Sequence, residues 1–274
     1  MTHGGGVADP NSAPPPIDIG EIIANKLAKD SLTPMGVTSE NVASRYGISR
    51  SQQDAFAVSS HAKAIAATES GHFAKEIVPI TVTVEVDDED VEITVTKDDG
   101  PRPGTTMEKL AGLKAVFKEG GSTTAGNASQ VSDGAAAVVL LKRSKANELG
   151  LPIIGAYRGY QVVGCQPDEM GVGPAVAIPA VLKECGLSID DIDVYEINEA
   201  FASQAAYCVQ KLGIPMDKVN PNGGAIALGH PLGCTGARQV ATLFNELHAK
   251  NKKLGVISMC IGTGMGAAAV FEAE

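Results

Sequence analysis

The chain has 274 residues, 44% hydrophobic and 20% charged, enough for one large packed domain or two of ordinary size. Its formal net charge of −10 excludes a broad nucleic-acid surface, because phosphate binding needs clustered Lys and Arg; no apolar run is long enough to span a membrane. Its five cysteines, at 165, 185, 208, 234 and 260, are odd in number and include no Cys-x-x-Cys pair, so neither a disulfide framework nor a structural zinc site is expected.

The start, Met1 to Pro16, is rich in Gly and Pro and has no basic-then-apolar targeting pattern; it reads as a loop. A first helix is expected over Ile17–Ala28. Ser49 and Gln52 have capping-box spacing, which predicts a long helix over Arg50–Ser70, ending before Gly71. Ile77–Val86 and Val91–Thr96 alternate β-branched with polar residues, the pattern of a hairpin around Asp87–Asp90. The apolar run Ala135–Leu141 reads as a buried strand, and Lys142–Leu149 as a short helix closing at Gly150. From Leu151 the pattern becomes regular. Strands are predicted over Ile153–Val163, Ile192–Ile197, Leu254–Met259 and Gly266–Phe271, with helices over Pro174–Glu184, Glu199–Leu212 and Thr235–Lys250. This βαβα…ββ order argues for an α/β fold in which helices cover a mostly parallel sheet.

Three clusters in the second half carry chemistry: Asn198 to Ala202, Gly223 to Arg238, and Cys260 to Gly266. Each follows a strand or opens a helix, and strand ends are where open α/β sheets bind ligands. His230 stands among glycines just before a helix N-terminus, whose dipole disfavours imidazolium, so a neutral base or donor is expected. The same residue also fits a plainer role, hydrogen bonded to hold its loop. Cys260 ends a strand in a Gly-rich turn whose N–H groups can bind an oxyanion, beside a thiol suited to nucleophilic or proton-transfer work; a buried small hydrophobe is the alternative. Asn198 at a strand-to-helix junction can also be an N-cap. Gly262-x-Gly264-x-x-Ala267 has dinucleotide-fingerprint spacing, but the chain ends at Glu274 without the helix, strand and acid that reading needs. Cys165 falls in a loop, Cys185 and Cys208 in helical patterns, and Cys234 in the first turn of a helix, where a thiolate is favoured.

Taken together, these segments resemble the thiolase family, most closely its peroxisomal 3-ketoacyl-CoA branch. The resemblance runs through Pro34-Met35-Gly36 with Thr38 and Glu40-Asn41, Asp99-Gly100 with Arg102-Pro103, Thr124 to Ser129, Asn198 to Ala202, Gly229-His230-Pro231 with Gly236-Ala237-Arg238, and Cys260 with Gly262. It implies a truncated N-terminal domain over residues 1–150, of which 1–119 is mainly the loop domain covering coenzyme A and 120–150 the last helix and strand. It further implies a complete βαβαβαββ C-terminal domain over 151–274.

The family's activity is a ping-pong acyl transfer from 3-ketoacyl-CoA to CoA in fatty-acid β-oxidation. By motif, His230 would activate the nucleophile and Cys260 would carry the proton to and from the acetyl carbon. Asn198 would hold a water in one oxyanion hole, the Gly262 amide would serve a second, and Ser129 would meet the pantetheine arm. Coenzyme A is then a substrate, with no tightly bound cofactor or metal; the resemblance alone suggests a homodimer, part of whose dimer-forming region is missing here, and a peroxisomal location. The family's nucleophilic Cys lies upstream of the loop domain, and no Cys precedes Cys165 here. The expectation is therefore a shortened form of a longer protein, inactive by itself. The alternatives are a non-catalytic CoA-binding or interaction remnant, and a biosynthetic acetoacetyl-CoA thiolase.

Overall fold

The computed structural model describes residues 18–274. Met1–Pro16, read as a loop, and Ile17 at the start of the first predicted helix lie outside them. That helix is two: α1 (Ile19–Ala24), capped by the Asp18 carboxylate on the Glu21 N–H, and α2 (Lys26–Asp30). Asn25 divides them. It is extended, and its side chain accepts from the Ala28 N–H, offering the backbone an alternative to helix continuation. Helix α3 (Met35–Tyr46) stops at Gly47, whose φ of 69° is left-handed. Helix α4 (Arg50–Glu69) carries the expected Ser49–Gln52 capping box. Strands β1 (Ile80–Val86) and β2 (Glu89–Val95) form the expected hairpin, tightened to a two-residue turn in which Asp87 and Asp88 both have positive φ, 52° and 64°. Two short helices follow, α5 (Met107–Ala111) and α6 (Arg143–Glu148).

Between α5 and α6 the strand predicted over Ala135–Leu141 does not form. A strand needs a ladder partner, and among the described residues none pairs with this run; Val139 and Leu140 are 84% and 74% exposed. Val138 and Leu140 instead line an apolar groove of ≈ 280 Å³ with Tyr157, Tyr160, Val240 and Phe271.

The second half holds β3 (Gly155–Gly164), α7 (Gly173–Cys185), β4 (Val194–Ile197), α8 (Ala202–Leu212), α9 (Ala225–Leu228), α10 (Thr235–Ala249), β5 (Leu254–Ile261) and β6 (Met265–Ala273). The strands lie in the order β3-β6-β5-β4. Among the described strands only β4 and β5 pair in parallel, which corrects the mostly parallel sheet read from the sequence. The short connection from β5 to β6 leaves an antiparallel hairpin as the only pairing, and β3 then lies antiparallel on β6.

The third strand of the expected βαβαβαββ order is reduced to one parallel bridge, Tyr195 to Val219. Asn220, with φ of 42°, turns the chain away directly after it. Its side-chain amide continues the ladder in place of backbone, accepting from the Ile197 N–H and donating to the Ile197 carbonyl, both at 2.8 Å.

Side chains alternate across the sheet. Tyr195, Ile197, Val256, Ala268 and Val270 pack with Ile178, Val181 and Leu182 of α7 and Val209 of α8. Val194, Ile257, Ala269 and Phe271 pack on the other face with Val240, Leu243, Phe244 and Leu247 of α10. A third cluster joins Phe56 and Ala57 of α4 to Ala202 and Ala205 of α8 and Ile226 of α9, seating the first half of the chain on the second.

The run from Val138 to Leu141 exposes four consecutive apolar side chains, a pattern that favours association. The purified chain is expected to elute from size-exclusion chromatography as oligomers, and the double substitution Val139→Lys with Leu140→Lys to lower its apparent mass. A soluble, cooperatively melting monomer of the unsubstituted chain contradicts this.

Candidate functional site

Parallel pairing sets the C-terminal ends of β4 and β5 at one edge of the sheet. Asn198 steps off β4 there, its N–H donating to the Ser258 carbonyl of β5 at 2.8 Å. Cys260 lies two residues further along β5, opposite Gly266 of β6. Gly262 opens the turn that joins these strands. In that turn Thr263 and Gly264 have φ of 68° and 99°, and a Cβ on Gly264 would stand 2.5 Å from the Cys165 carbonyl oxygen. The Gly-x-Gly spacing therefore serves a hairpin turn leading into a strand, which bears out rejection of the dinucleotide reading.

His230 reaches the same edge from the loop between α9 and α10. Its N–H donates to the Gln130 carbonyl at 3.0 Å. Its imidazole Nε2 lies 3.2 Å from Asn198 Nδ2, and its Nδ1 lies 2.7 Å from Thr235 Oγ1. Burial, and then the Arg238 guanidinium, hold its pKa below the ordinary histidine value. The expected neutral imidazole is thus obtained mainly by desolvation. Burial pushes the Cys260 thiol up to about 12, so it is protonated at neutral pH. Asn198 is buried, and among the described residues its Oδ1 has no partner, leaving an acceptor without a donor. Asn198 caps no helix, because α8 begins only at Ala202.

Of the residues singled out in the sequence, Asn198 and His230 are in direct contact. Cys260 and Gly262 share their sheet edge without a hydrogen bond between Cys260 and either of them among the described residues. Ser129 adjoins the Asn198–Ala202 loop, its N–H and its hydroxyl both donating to the Ala200 carbonyl at 3.0 Å. Cys234 departs from expectation. It is buried just ahead of α10, and burial raises its pKa, outweighing the favour a helix start gives to thiolate. Cys165 lies in the expected loop, its thiol raised to about 11, chiefly by burial.

Sequence reasoning missed two buried carboxylates. Glu199 was read as the first residue of a helix; it lies ahead of α8, fully enclosed. It accepts from Ser60 Oγ at 2.6 Å, Asn220 Nδ2 at 2.7 Å and the Ile226 N–H at 3.2 Å. Burial raises its pKa against these bonds. Glu196 of β4 accepts from Arg238 Nη1 at 3.1 Å, and burial lifts it to about 7. The visible signal was an acid inside an apolar strand and one directly after it, both improbable unless partnered.

Two family models match the chain: the N-terminal domain of thiolase over residues 19–144 and its C-terminal domain over residues 151–273. Peroxisomal 3-ketoacyl-CoA thiolase B of Rattus norvegicus is 67% identical over 253 residues, spanning 92% of this chain and 60% of the relative. The human peroxisomal 3-ketoacyl-CoA thiolase is 64% identical over 254 residues, again 92% of this chain and 60% of the relative. Among solved structures, the dimeric peroxisomal thiolase of Saccharomyces cerevisiae superposes with a TM-score of 0.86 at 56% identity, covering 94% of this chain and 63% of that one. Human mitochondrial 3-ketoacyl-CoA thiolase in complex with CoA matches with a TM-score of 0.80 at 41% identity, covering 88% and 59%. The chain thus spans about 60% of the length of the curated relatives it matches.

Two outcomes follow from this geometry. Glu199→Ala leaves three buried donors without an acceptor, each costing about 1–3 kcal/mol, so a loss of about 3 kcal/mol or more is expected in urea unfolding. A change within experimental error would remove Glu199 as an anchor. Cys260, held at about 12, is expected to react with iodoacetamide at mildly alkaline pH roughly a thousandfold slower than a free cysteine, followed by mass spectrometry of its peptide. Rapid labelling of Cys260 would contradict the protonated thiol.

Proposed function

The chain belongs to the thiolase family, and from that premise we propose that it carries the base and proton-carrier half of an acetyl-CoA C-acyltransferase site. The observation that carries this is the contact between Asn198 and His230 over the ends of β4 and β5, the edge that also bears Cys260. The overall reaction takes 3-ketoacyl-CoA and CoA to acetyl-CoA and an acyl-CoA shorter by one acetyl unit. A thiolate attacks the 3-keto carbon. The bond to the acetyl unit then breaks, its electrons leave as the acetyl-CoA enolate, and the acyl group remains as a thioester that CoA later collects.

On this reading neutral His230 takes the proton of the attacking thiol, which an imidazolium could not do. The protonated Cys260 thiol returns a proton to the enolate carbon. Asn198, through its unpartnered Oδ1, holds a water that donates to the thioester oxygen, and the Gly262 N–H serves a second oxyanion position. Ser129, beside the Asn198 loop, meets the pantetheine arm. Of the region read as a loop domain, residues 1–119, the described residues 18–119 would, with residues 120–150, cover the CoA side; residues 151–274 hold the four catalytic positions. A peroxisomal location and a homodimer are part of the same proposal, supported by the relatives' names.

The 274 residues do not supply the nucleophile. No Cys precedes Cys165, and among the described residues no thiol is hydrogen bonded to His230. If Cys260 took that place, no acid would remain for the enolate, and loss of one member of a unit that acts together costs several orders of magnitude in rate. Purified 274-residue chain assayed with acetoacetyl-CoA and longer 3-ketoacyl-CoA substrates is expected to give no thiolysis above buffer, while calorimetry detects CoA binding. Robust turnover abolished by Cys260→Ala would make Cys260 the nucleophile and refute these roles. Absence of any CoA binding would favour an interaction module instead.

A further inference from the structure

Thr235 opens α10 and is buried beneath the His230 ring. Its hydroxyl has two neighbours, the Pro231 carbonyl at 3.0 Å and His230 Nδ1 at 2.7 Å. A carbonyl oxygen can only accept, and a hydroxyl has one proton to give. The back-bond from Thr235 to the carbonyl four residues earlier uses that proton in the way threonines commonly do in helices. The hydroxyl oxygen then faces Nδ1 with a lone pair, and Nδ1 must be the donor. On the opposite side of the ring, Asn198 Nδ2 stands 3.2 Å from Nε2 and has only protons to offer. Both partners ask for the same tautomer. The ring has little freedom to answer otherwise, because the His230 N–H is fixed on Gln130, and a Cβ on Gly229 would stand 2.4 Å from Ser132 Oγ.

We propose that Thr235 is a positioning residue for the acyl-transfer site, fixing neutral His230 as the Nδ1–H tautomer and so placing the Nε2 lone pair at the sheet edge shared with Asn198 and Cys260. A neutral histidine in water exchanges between two tautomers, and only one of them presents a base at Nε2. Thr235 removes the other. The chemical meaning of this rests on the acyl-transfer reading, but its measurement does not.

The test is a two-bond proton–nitrogen correlation spectrum of the 274-residue chain with ring-labelled histidine, at a pH where His230 is neutral. The expected spectrum has a protonated, pyrrole-type Nδ1 and an unprotonated, pyridine-type Nε2. In Thr235→Val, which keeps the shape and loses the oxygen, the two nitrogen shifts are expected to move toward each other as the tautomers mix. Thr235→Ser restores the separation. His61, His72 and His248 report whether the fold is unchanged, and if Thr235→Val does not fold, the unsubstituted and Thr235→Ser spectra decide. A pyrrole-type Nε2 in the unsubstituted chain, or an unchanged His230 spectrum in folded Thr235→Val, overturns the assignment and leaves acyl transfer untouched. Conversely, failure of CoA binding alongside the expected spectrum would refute the acyl-transfer reading and leave the tautomer assignment standing.

Discussion

The arrangement at the sheet edge depends on one buried carboxylate. Glu199 follows Asn198 directly, and its three hydrogen bonds reach Ser60 on α4, Asn220 beyond the short bridge, and the Ile226 N–H in α9, four residues before His230. Ser60 also accepts from the Gly224 N–H at 3.1 Å. The two site-bearing loops and the helix from the first half of the chain are thereby registered on one side chain. Gly224 shows how tight the registration is: a Cβ there would come within 2.3 Å of the Glu199 carboxyl carbon. A buried carboxylate is unfavourable without donors and specific with them, which gives the loops one arrangement in place of several.

The same economy of backbone shapes the strand ends. Asn220 stands in for a fifth strand of this sheet with its own amide, so β4 is satisfied on that side while the chain departs at once toward α9. Asn198 and His230 can meet because the chain leaves β4 so early. Desolvation then sets the chemistry. It keeps His230 neutral and Cys260 protonated, the states in which a base and an acid are usable at neutral pH. Arg238, itself balanced by buried Glu196, reinforces the neutral imidazole from the next turn of α10.

Much of this was legible in the chain. The capping box of α4, the β1–β2 hairpin, α6 and the helices and strands after Leu151 appear within a few residues of expectation, because each carries its own periodicity or turn chemistry. What the sequence concealed was long-range. Ala135–Leu141 is apolar enough for a strand, but a strand exists only with a partner, and among the described residues it has none. The parallel reading failed because periodicity reports faces and not neighbours: β6 enters the sheet between β3 and β5 and makes both pairings antiparallel. The break at Asn25 and the raised Cys234 thiol were local rules overridden, one by a competing side-chain cap and the other by burial. His230, Cys260 and Asn198 stood out through their Gly-rich and strand-end settings. Glu199, Glu196 and Thr235 did not, since their roles lie in what they touch across the fold.

On the acyl-transfer reading, the edge formed by β4 and β5 receives a CoA thioester, with its carbonyl toward Asn198 and His230 and its acetyl carbon toward Cys260. A crystal structure of the 274-residue chain with acetyl-CoA tests this most directly. The thioester oxygen is expected on the Asn198–His230 side, directly or through one water, the methyl carbon next to Cys260 Sγ, and the pantetheine arm passing Ser129. Acetyl-CoA bound at another surface, or placed at this edge with its methyl group directed away from Cys260, would contradict it.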